Sequence, residues 1–265
     1  MLLVLLCSAT PVASQIRVPD DSIAAFVAVE SELLWRNLSL ADALGLRSGV
    51  AYPLRLPRIP LQLQVDGWTA LAQRPTSGYG DQYAFTVHYQ HILADRPHPK
   101  SVVFGYVEYW NPNVGQLSPR LASRTRELRA SALADVGIPS EGIRTVSLRL
   151  DVARDISREN ATWIRGAASA SIGATVQHGE TDYSVSAIPT IAVSMSDLRG
   201  PRASGTRPAF GFHSADAELD IELRTRWPTE SLHSSTTLQL GSSIRAERLG
   251  ANIGWVGIRQ SFLIL

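Results

Sequence analysis

Residues 215–225 alternate between uncharged and charged side chains without interruption. The odd positions run Ala215, Ala217, Leu219, Ile221, Leu223 and Thr225, and the even positions run Asp216, Glu218, Asp220, Glu222 and Arg224. Because successive side chains of a β-strand point to opposite faces, this period of two predicts a strand with one apolar face and one charged face. Four carboxylates and an arginine need water or one another, so the charged face indicates a sheet with a wet side.

Similar segments recur to the end of the chain. Most of them are close to the ~9–11 residues that a tilted strand needs to cross a bilayer. Their number is even, as in bacterial single-chain barrels. The twelve predicted strands are 23–35, 45–54, 60–72, 82–92, 101–110, 124–135, 144–153, 162–173, 183–196, 214–226, 235–246 and 253–264.

Alternation alone does not say which face is inside, because a soluble barrel or sandwich has the same period with its apolar face inward. Two features favour lipid outside and a polar lumen inside. The alternation continues to the C-terminus, so strand 253–264 can pair with strand 23–35. The connections are long on one side, at 111–123 and 197–213, and short on the other. The predicted fold is therefore an all-β, antiparallel transmembrane β-barrel of about 12 strands. Strand 101–110 is apolar on both faces, so the pattern does not orient it.

The first residues predict export. Residues 2–6 form a short apolar core, and small residues precede a predicted cleavage after Ser14. We therefore expect a signal peptide at 1–14 and a single outer-membrane β-barrel domain at 15–265. The usual basic residues at the start of such a peptide are absent, so we expect the true start to lie upstream. The only cysteine, Cys7, lies in this segment, so we expect a mature chain without disulfides.

Composition narrows the functional classes. A net charge of +1 gives no electrostatic reason to expect a nucleic-acid partner. The sequence has no clustered metal ligands and no phosphate-binding glycine loop, so we expect no metal and no cofactor. His213 and Ser214 precede Asp216, which invites a hydrolase interpretation. On a regular strand the two point to opposite faces, so we expect no catalytic residues and no enzyme.

The predicted lumen-lining residues are mostly charged. The row on strand 214–226 has two open interpretations: a stripe that attracts cations, or a structural network neutralised by arginines such as Arg165, Arg224, Arg245 and Arg259. The candidates are Asp216, Glu218, Asp220, Glu222, Arg129, Arg149, Asp151 and Gln239.

Tryptophans near the strand ends predict an aromatic girdle, because indole rings favour the membrane interface. On the topology with long extracellular loops, Trp227 lies at the periplasmic rim. The extracellular rim would hold Trp35, Trp68, Trp110, Trp163 and Trp255. The expected partner is outer-membrane lipid.

Several segments resemble the TorF family of putative porins, which are exported barrels of Gram-negative bacteria. The stretch 34–39 (LWRNLS) is similar to an aromatic-Arg-Gly-x-Ser motif, although Asn37 replaces the glycine. Residues 61–71, with Gly67 and Trp68, resemble the family's third strand, and 104–112 (FGYVEYWNP) resembles its Gly-Tyr-x-x-Tyr-x-x-Pro segment. Segments 125–135 and 148–155 resemble its paired central strands. The resemblance, over roughly residues 25–175, implies an outer-membrane barrel with channel activity and brings no catalytic residues.

These observations predict a porin-like barrel of the bacterial outer membrane, in which small solutes diffuse passively through a narrow polar lumen. Two alternatives stay open. One is an outer-membrane lipid-modifying hydrolase, which requires a Ser/His pair that converges near one rim. The other is a purely structural or soluble exported β protein. Neither the solute nor the oligomeric state follows from the sequence.

Overall fold

The structure, a computed structural model, consists of strands joined by turns and loops. It describes residues 22–31, 33–35, 38–41, 44–56, 59–71, 81–94, 100–112, 124–136, 143–157, 160–179, 181–197, 209–227, 232–246 and 252–264. The predicted signal peptide lies outside these residues. Within them, no helix is long and apolar enough to cross a membrane. The strands are β1 (Ile23–Glu30), β2 (Leu33–Trp35), β3 (Leu38–Ala41), β4 (Gly45–Leu56), β5 (Ile59–Ala70), β6 (Asp81–Ala94), β7 (Lys100–Trp110), β8 (Arg124–Val136), β9 (Ile143–Asp155), β10 (Thr162–His178), β11 (Thr181–Ser196), β12 (Gly211–Arg226), β13 (Leu232–Arg245) and β14 (Ile253–Ile264).

Twelve of these strands, β1 and β4 to β14, form one closed antiparallel barrel. Each strand pairs with its neighbour in sequence, and β1 closes the barrel against β14, with Ile23 opposite Ile264 and Val29 opposite Ile258. Closure leaves no barrel strand with a free edge. The predicted fold class and strand order are confirmed. Two boundaries were wrong. Residues 33–35 belong to β2, which pairs with β3 in a separate two-stranded sheet, and β10 runs to His178 instead of ending at residue 173.

The two faces of the barrel wall differ in polarity. On β12 the outward side chains of Ile221 and Leu223 are 41% and 44% exposed, whereas the inward Glu222 is 2% exposed. The same alternation runs along the other strands, with apolar side chains outside and polar side chains inside. A water-soluble barrel has the opposite arrangement, since its apolar face fills the core.

Strand β7, which the sequence pattern left without an orientation, turns one apolar face inward. Val107 and Tyr109 are buried inside the barrel, while Phe104 and Trp110 are exposed on the outer wall. The inward orientation gives the Tyr109 hydroxyl a partner, because it accepts a hydrogen bond from the Arg129 guanidinium on β8. A buried phenol needs such a partner.

The two ends of the barrel have connections of different length. One end, which we call the long-loop rim, holds the connections 71–80, 111–123 and 197–210. The other end, the short-turn rim, holds the connections 57–58 and 179–180. This asymmetry is typical of barrels with long extracellular loops and short periplasmic turns.

Candidate functional site

The acidic row of β12 lies inside the barrel. Asp216 and Glu218 are each 5% exposed, and Asp220 and Glu222 are each 2% exposed. Their side chains project from the same face because the strand is regular from Ser214 to Arg226, in unbroken register with β13. Four carboxylates therefore follow one another down the inner wall, starting near the long-loop rim.

The upper half of the row receives its guanidinium from β10, two strands away. Arg165 Nη2 lies 2.8 Å from Glu218 Oε1, and Arg165 Nε lies 3.7 Å from Asp216 Oδ2. The guanidinium reaches across β11 because the β11 residue opposite Asp216 is the small Ala192. Ser243 on β13 donates a hydrogen bond to Asp216 Oδ1 at 2.6 Å.

The lower half of the row has a partner on its own strand. Arg224 Nη2 lies 2.8 Å from Glu222 Oε2, and the Arg224 side chain is 37% exposed. Gln239 on β13, another predicted lumen residue, lies opposite Asp220 and is buried on the inner wall. The ion pair of Glu222 is therefore more open to solvent than that of Glu218.

The remaining predicted lumen residues lie in ion pairs on β8 and β9. Arg129 Nη2 lies 2.9 Å from Glu127 Oε2 on the same strand. Arg149 Nε lies 2.8 Å from Asp151 Oδ1, which also accepts a 2.6 Å hydrogen bond from Ser131. Each of these carboxylates thus has a guanidinium on its own strand.

A third charged group, on β1, β4 and β5, was not among the predicted site residues. Arg47 Nε lies 3.0 Å from Glu30 Oε1, and Arg47 Nη1 lies 3.1 Å from Asp66 Oδ1. Arg259 on β14 lies over the Phe26 ring, 4.7 Å from its centroid. All four charged residues occupy the polar phase of their strands, which predicts their inward direction, and Arg259 was already predicted as a possible counter-charge of the acidic row.

The buried interior carries more negative than positive side chains. Among the described residues, four arginines are buried: Arg47, Arg129, Arg165 and Arg259. Nine carboxylates are buried: Asp66, Glu127, Asp135, Asp151, Asp155, Asp216, Glu218, Asp220 and Glu222. The acidic row is therefore partly paired, and carboxylates outnumber arginines among the buried side chains, while the less buried Arg149 and Arg224 also face inward.

A β-bulge at the start of β12 overturns the expectation that His213 and Ser214 face opposite ways. Ser214 lies opposite Ser194 and Phe212 lies opposite Met195, so His213 is the extra residue of the bulge. Both His213 and Ser214 are fully buried on the inner face. Ser196 Oγ lies 2.6 Å from His213 Nδ1, and Ser194 Oγ lies 2.7 Å from Ser214 Oγ. A serine–imidazole pair therefore exists near the long-loop rim.

The predicted aromatic girdle was wrong for three tryptophans. Trp68 and Trp163 are fully buried inside the barrel, and Trp255 also lies on the inner face. Glycines on neighbouring strands make room for two of these rings: a Cβ atom on Gly45 would lie 2.1 Å from Trp68, and one on Gly241 would lie 2.2 Å from Trp255.

The alternation along each strand already predicted that these tryptophans point inward. Trp68 has the same phase as Gln64 and Asp66, and Trp163 has the phase of Arg165. Two tryptophans lie on the outside: Trp110 and Trp227 are 48% and 45% exposed. The side chain of Trp35 lies outside the described part of the structure.

The interior of the barrel is narrow. Inward side chains as polar as Glu127 and Glu222 are at most 2% exposed, which means that other side chains surround them. Within the described strands, no group of three or more His, Cys, Asp or Glu residues could hold a metal ion. What the arrangement offers chemically is a tightly filled interior lined by carboxylates and hydroxyls, together with one Ser–His pair.

No protein-family model and no curated protein sequence matches this chain. Solved structures of similar shape are outer-membrane barrels. The β domain of the Bordetella autotransporter BrkA has a TM-score of 0.51 and 12% identity, over 92% of this chain and 98% of that domain. The COG4313 outer membrane channel from Pseudomonas putida F1 has a TM-score of 0.49 and 9% identity, over 93% and 97%. The KdgM porin has a TM-score of 0.42 and 9% identity, over 92% and 98%.

At these identities the likeness shows the barrel fold and nothing finer. The matched proteins do not single out the TorF family, so that resemblance stays a prediction.

Proposed function

We propose that this protein is a porin-like barrel of the bacterial outer membrane, through which small cations diffuse passively along the acidic row of β12. The observation that carries the proposal is the excess of buried carboxylates over buried arginines on the inner wall. Charged side chains in a lumen tune which ions pass, and a ring or row of carboxylates favours cations.

The location in a membrane rests on the outer wall. Exposed apolar side chains cover it on all sides, among them Val50, Phe85, Leu148, Ile191 and Val256. A continuous apolar band around the barrel is the usual lipid-facing surface of a membrane barrel. The same band disfavours the alternative of a soluble exported protein. Resemblance to the TorF family predicts the same location.

The path itself lies along β12 because small side chains flank the row there. On β11, Ser186 and Thr190 lie opposite Glu222 and Glu218, and on β13 Thr237 lies opposite Glu222. Hydroxyls of this size hydrogen-bond to water and leave more space than the arginines and aromatic rings elsewhere on the inner wall. Glu218 Oε2 also has no hydrogen-bond donor among the described residues, so it is available to a passing cation.

Single-channel recording of the refolded protein in a planar bilayer tests this proposal. We expect small unitary currents, because the lumen is narrow, and a reversal potential under a salt gradient that indicates cation preference. The preference should weaken with salt, since the screening length falls from about 10 Å at 0.1 M to about 3 Å at 1 M. A correctly folded barrel that never conducts, or that prefers anions, would contradict the proposal.

A second function, hydrolysis of a lipid ester, is favoured by the pair of Ser196 and His213. A serine hydroxyl within hydrogen-bond reach of an imidazole is the usual arrangement of an activated nucleophile. Both side chains are fully buried, so a substrate would have to enter past the long-loop rim. A fluorophosphonate probe distinguishes the two functions. A hydrolase would be labelled at Ser196, and Ser196→Ala or His213→Gln would abolish the label, whereas a channel would stay unlabelled.

A further inference from the structure

Three arginines lie on the outer wall of the barrel, close to the long-loop rim. We call Arg124 and Arg126 on β8 and Arg154 on β9 the outer arginine patch. The side chains of Arg124 and Arg126 are 63% and 51% exposed. They face outward because the alternate residues, Glu127 and Arg129, are buried inside. Arg154 lies opposite Leu128, which is also outward, so the three guanidiniums occupy adjoining positions on one wall.

Among the described residues, one carboxylate is in ion-pair contact with the outer arginine patch. Glu108 on β7 is the nearest carboxylate: its Oε1 lies 3.6 Å from Arg126 Nε and 3.9 Å from Arg124 Nη1. Its other oxygen accepts a 3.1 Å hydrogen bond from the Tyr106 hydroxyl. Ion pairs this long and this exposed contribute little free energy, so the Arg124 and Arg126 guanidiniums can bind another anion.

The third arginine is held in place by neutral groups. The Arg154 guanidinium donates to Thr162 Oγ1 and to Asn160 Oδ1, and both acceptors are uncharged. Two further outward carboxylates flank the patch. Asp81 lies on β6, and Asp197 accepts the backbone N–H of Thr162 at 2.6 Å. Within the described ranges, the hydrogen-bond acceptors of the Arg154 guanidinium are therefore uncharged.

The outer arginine patch lies on the outer wall at the level where lipid headgroups are expected. Trp110 lies directly opposite Arg124 and packs on Tyr83, with ring centroids 5.6 Å apart. Exposed indole and phenol rings favour the membrane interface. Below them the wall becomes apolar at Phe104 and Leu150, which are about half exposed. The guanidiniums thus lie where an apolar band gives way to the polar rim.

In the part of the chain that the structure describes, the outward arginines near the long-loop rim lie on β8 and β9. Outward positions at similar height on other strands are uncharged and apolar: Leu46 on β4, Phe212 on β12, Ile244 on β13 and Val256 on β14. A girdle that served only to mark the interface would be distributed around the barrel. The grouping of the three described outward arginines on β8 and β9 instead indicates a site.

We propose that the outer arginine patch binds the phosphate groups of an anionic membrane lipid in the leaflet at the long-loop rim. Planar guanidiniums bind phosphate oxygens through paired, charge-assisted hydrogen bonds, and their charge does not depend on pH. The lipid chains would then lie against the apolar wall below. This site is independent of the lumen and of ion passage.

The probe is diphosphoryl lipid A, a glycolipid that carries two phosphates, added to the barrel in detergent micelles and followed by native mass spectrometry. Each arginine near an anionic lipid surface contributes about fivefold in affinity. We therefore expect R124Q/R126Q/R154Q to bind about a hundredfold more weakly than the wild type. Dephosphorylated lipid A should lose a similar factor with the wild-type protein.

Two variants keep the test independent of folding. Lys100→Gln removes an exposed cation at the start of β7, at the short-turn rim, and it should change the affinity for lipid A less than twofold. Glu108→Gln removes the competing carboxylate, so it should tighten binding about fivefold, which a folding defect could not produce. Equal binding by the triple variant and the wild type would overturn the proposal. So would no gain in Glu108→Gln, or competition by inorganic phosphate at the concentration of the lipid.

Discussion

The inner face of β12 and the inner faces of β1, β4 and β5 are both charged, but they obtain their counter-charges differently. Arg47 on β4 lies between Glu30 and Asp66, which belong to the two strands beside it. The row on β12 has hydroxyl and amide side chains on the strands beside it, and its upper guanidinium comes from β10. The first region has an arginine between its two carboxylates. The second region has small uncharged neighbours and more carboxylates than arginines.

This difference separates structural from functional charge. An arginine between two adjacent carboxylates leaves little capacity for a solute, because its Nε and Nη1 donors already engage both carboxylates. A row of carboxylates beside serines and threonines keeps acceptor oxygens that water or a cation can use. We therefore expect substitutions in the first region to change stability and those in the second to change selectivity.

The largest effect should come from Arg47→Gln. The change leaves Glu30 and Asp66 together in the interior without their guanidinium, and loss of one partner of a buried ion pair costs about 3–5 kcal/mol. Urea unfolding in lipid vesicles measures the loss. Arg224→Gln is the matched change on β12, and it should cost less than Arg47→Gln, because water reaches the Arg224 side chain, which is 37% exposed. Equal losses would remove the distinction between the two regions.

The second effect compares the two faces of the wall at one level of the barrel. Ile221→Arg places a guanidinium in the apolar outer wall, which costs about 2–4 kcal/mol at the middle of a bilayer. Gln239→Arg places the same group on the inner wall opposite Asp220, where it should cost far less. Folding yield in vesicles measures both variants. Similar yields would refute the assignment of the faces.

The third effect concerns the hydroxyls that flank the row. Ser243→Ala removes the hydrogen bond to Asp216, and a bond to a charged group contributes about 1.5–3 kcal/mol. We expect the lower end of this range, because Arg165 still lies near Asp216. Ser235→Ala, on the same strand and also inward, is the control for simple loss of a hydroxyl. If the two variants unfold at the same urea concentration, the contact with Asp216 does not stabilise the row.

The smallest effect on stability should accompany the largest effect on selectivity. Asp220→Asn with Glu222→Gln leaves the pairs of Arg165 intact and keeps side chains of the same size, so we expect a smaller loss of stability than in the three comparisons above. The reversal potential under a salt gradient should move towards zero, because two charges leave the path. Glu127→Gln, which neutralises a carboxylate paired with Arg129, should leave the reversal potential almost unchanged. A reversal potential that moves towards zero in Glu127→Gln but not in the double variant would place the ion path along β8.

The Ser196–His213 pair shows the limit of strict alternation. A period of two places His213 and Ser214 on opposite faces, and that prediction was wrong because β12 has one residue more than β11 at this point. A bulge depends on how two strands pair, and the partner strand is not visible in the local sequence of β12. The same limit explains why the Arg165–Glu218 pair, between residues 53 positions apart, was not predicted as a pair.

The sequence by itself determined the number of strands, their approximate ranges and the polarity of their two faces. These properties are local, since each residue's face follows from its position along its own strand. The alternation along β5 also predicts that Trp68 points inward. The girdle prediction for Trp68 was wrong because the general preference of tryptophan for membrane interfaces was given more weight than this alternation. Only the tertiary structure decided what depends on neighbouring strands: which face of β7 is inside, where the bulge falls, and which carboxylates on β12 have an arginine. These outcomes are set by the registers and closure of the barrel, and register joins residues that are distant in the chain.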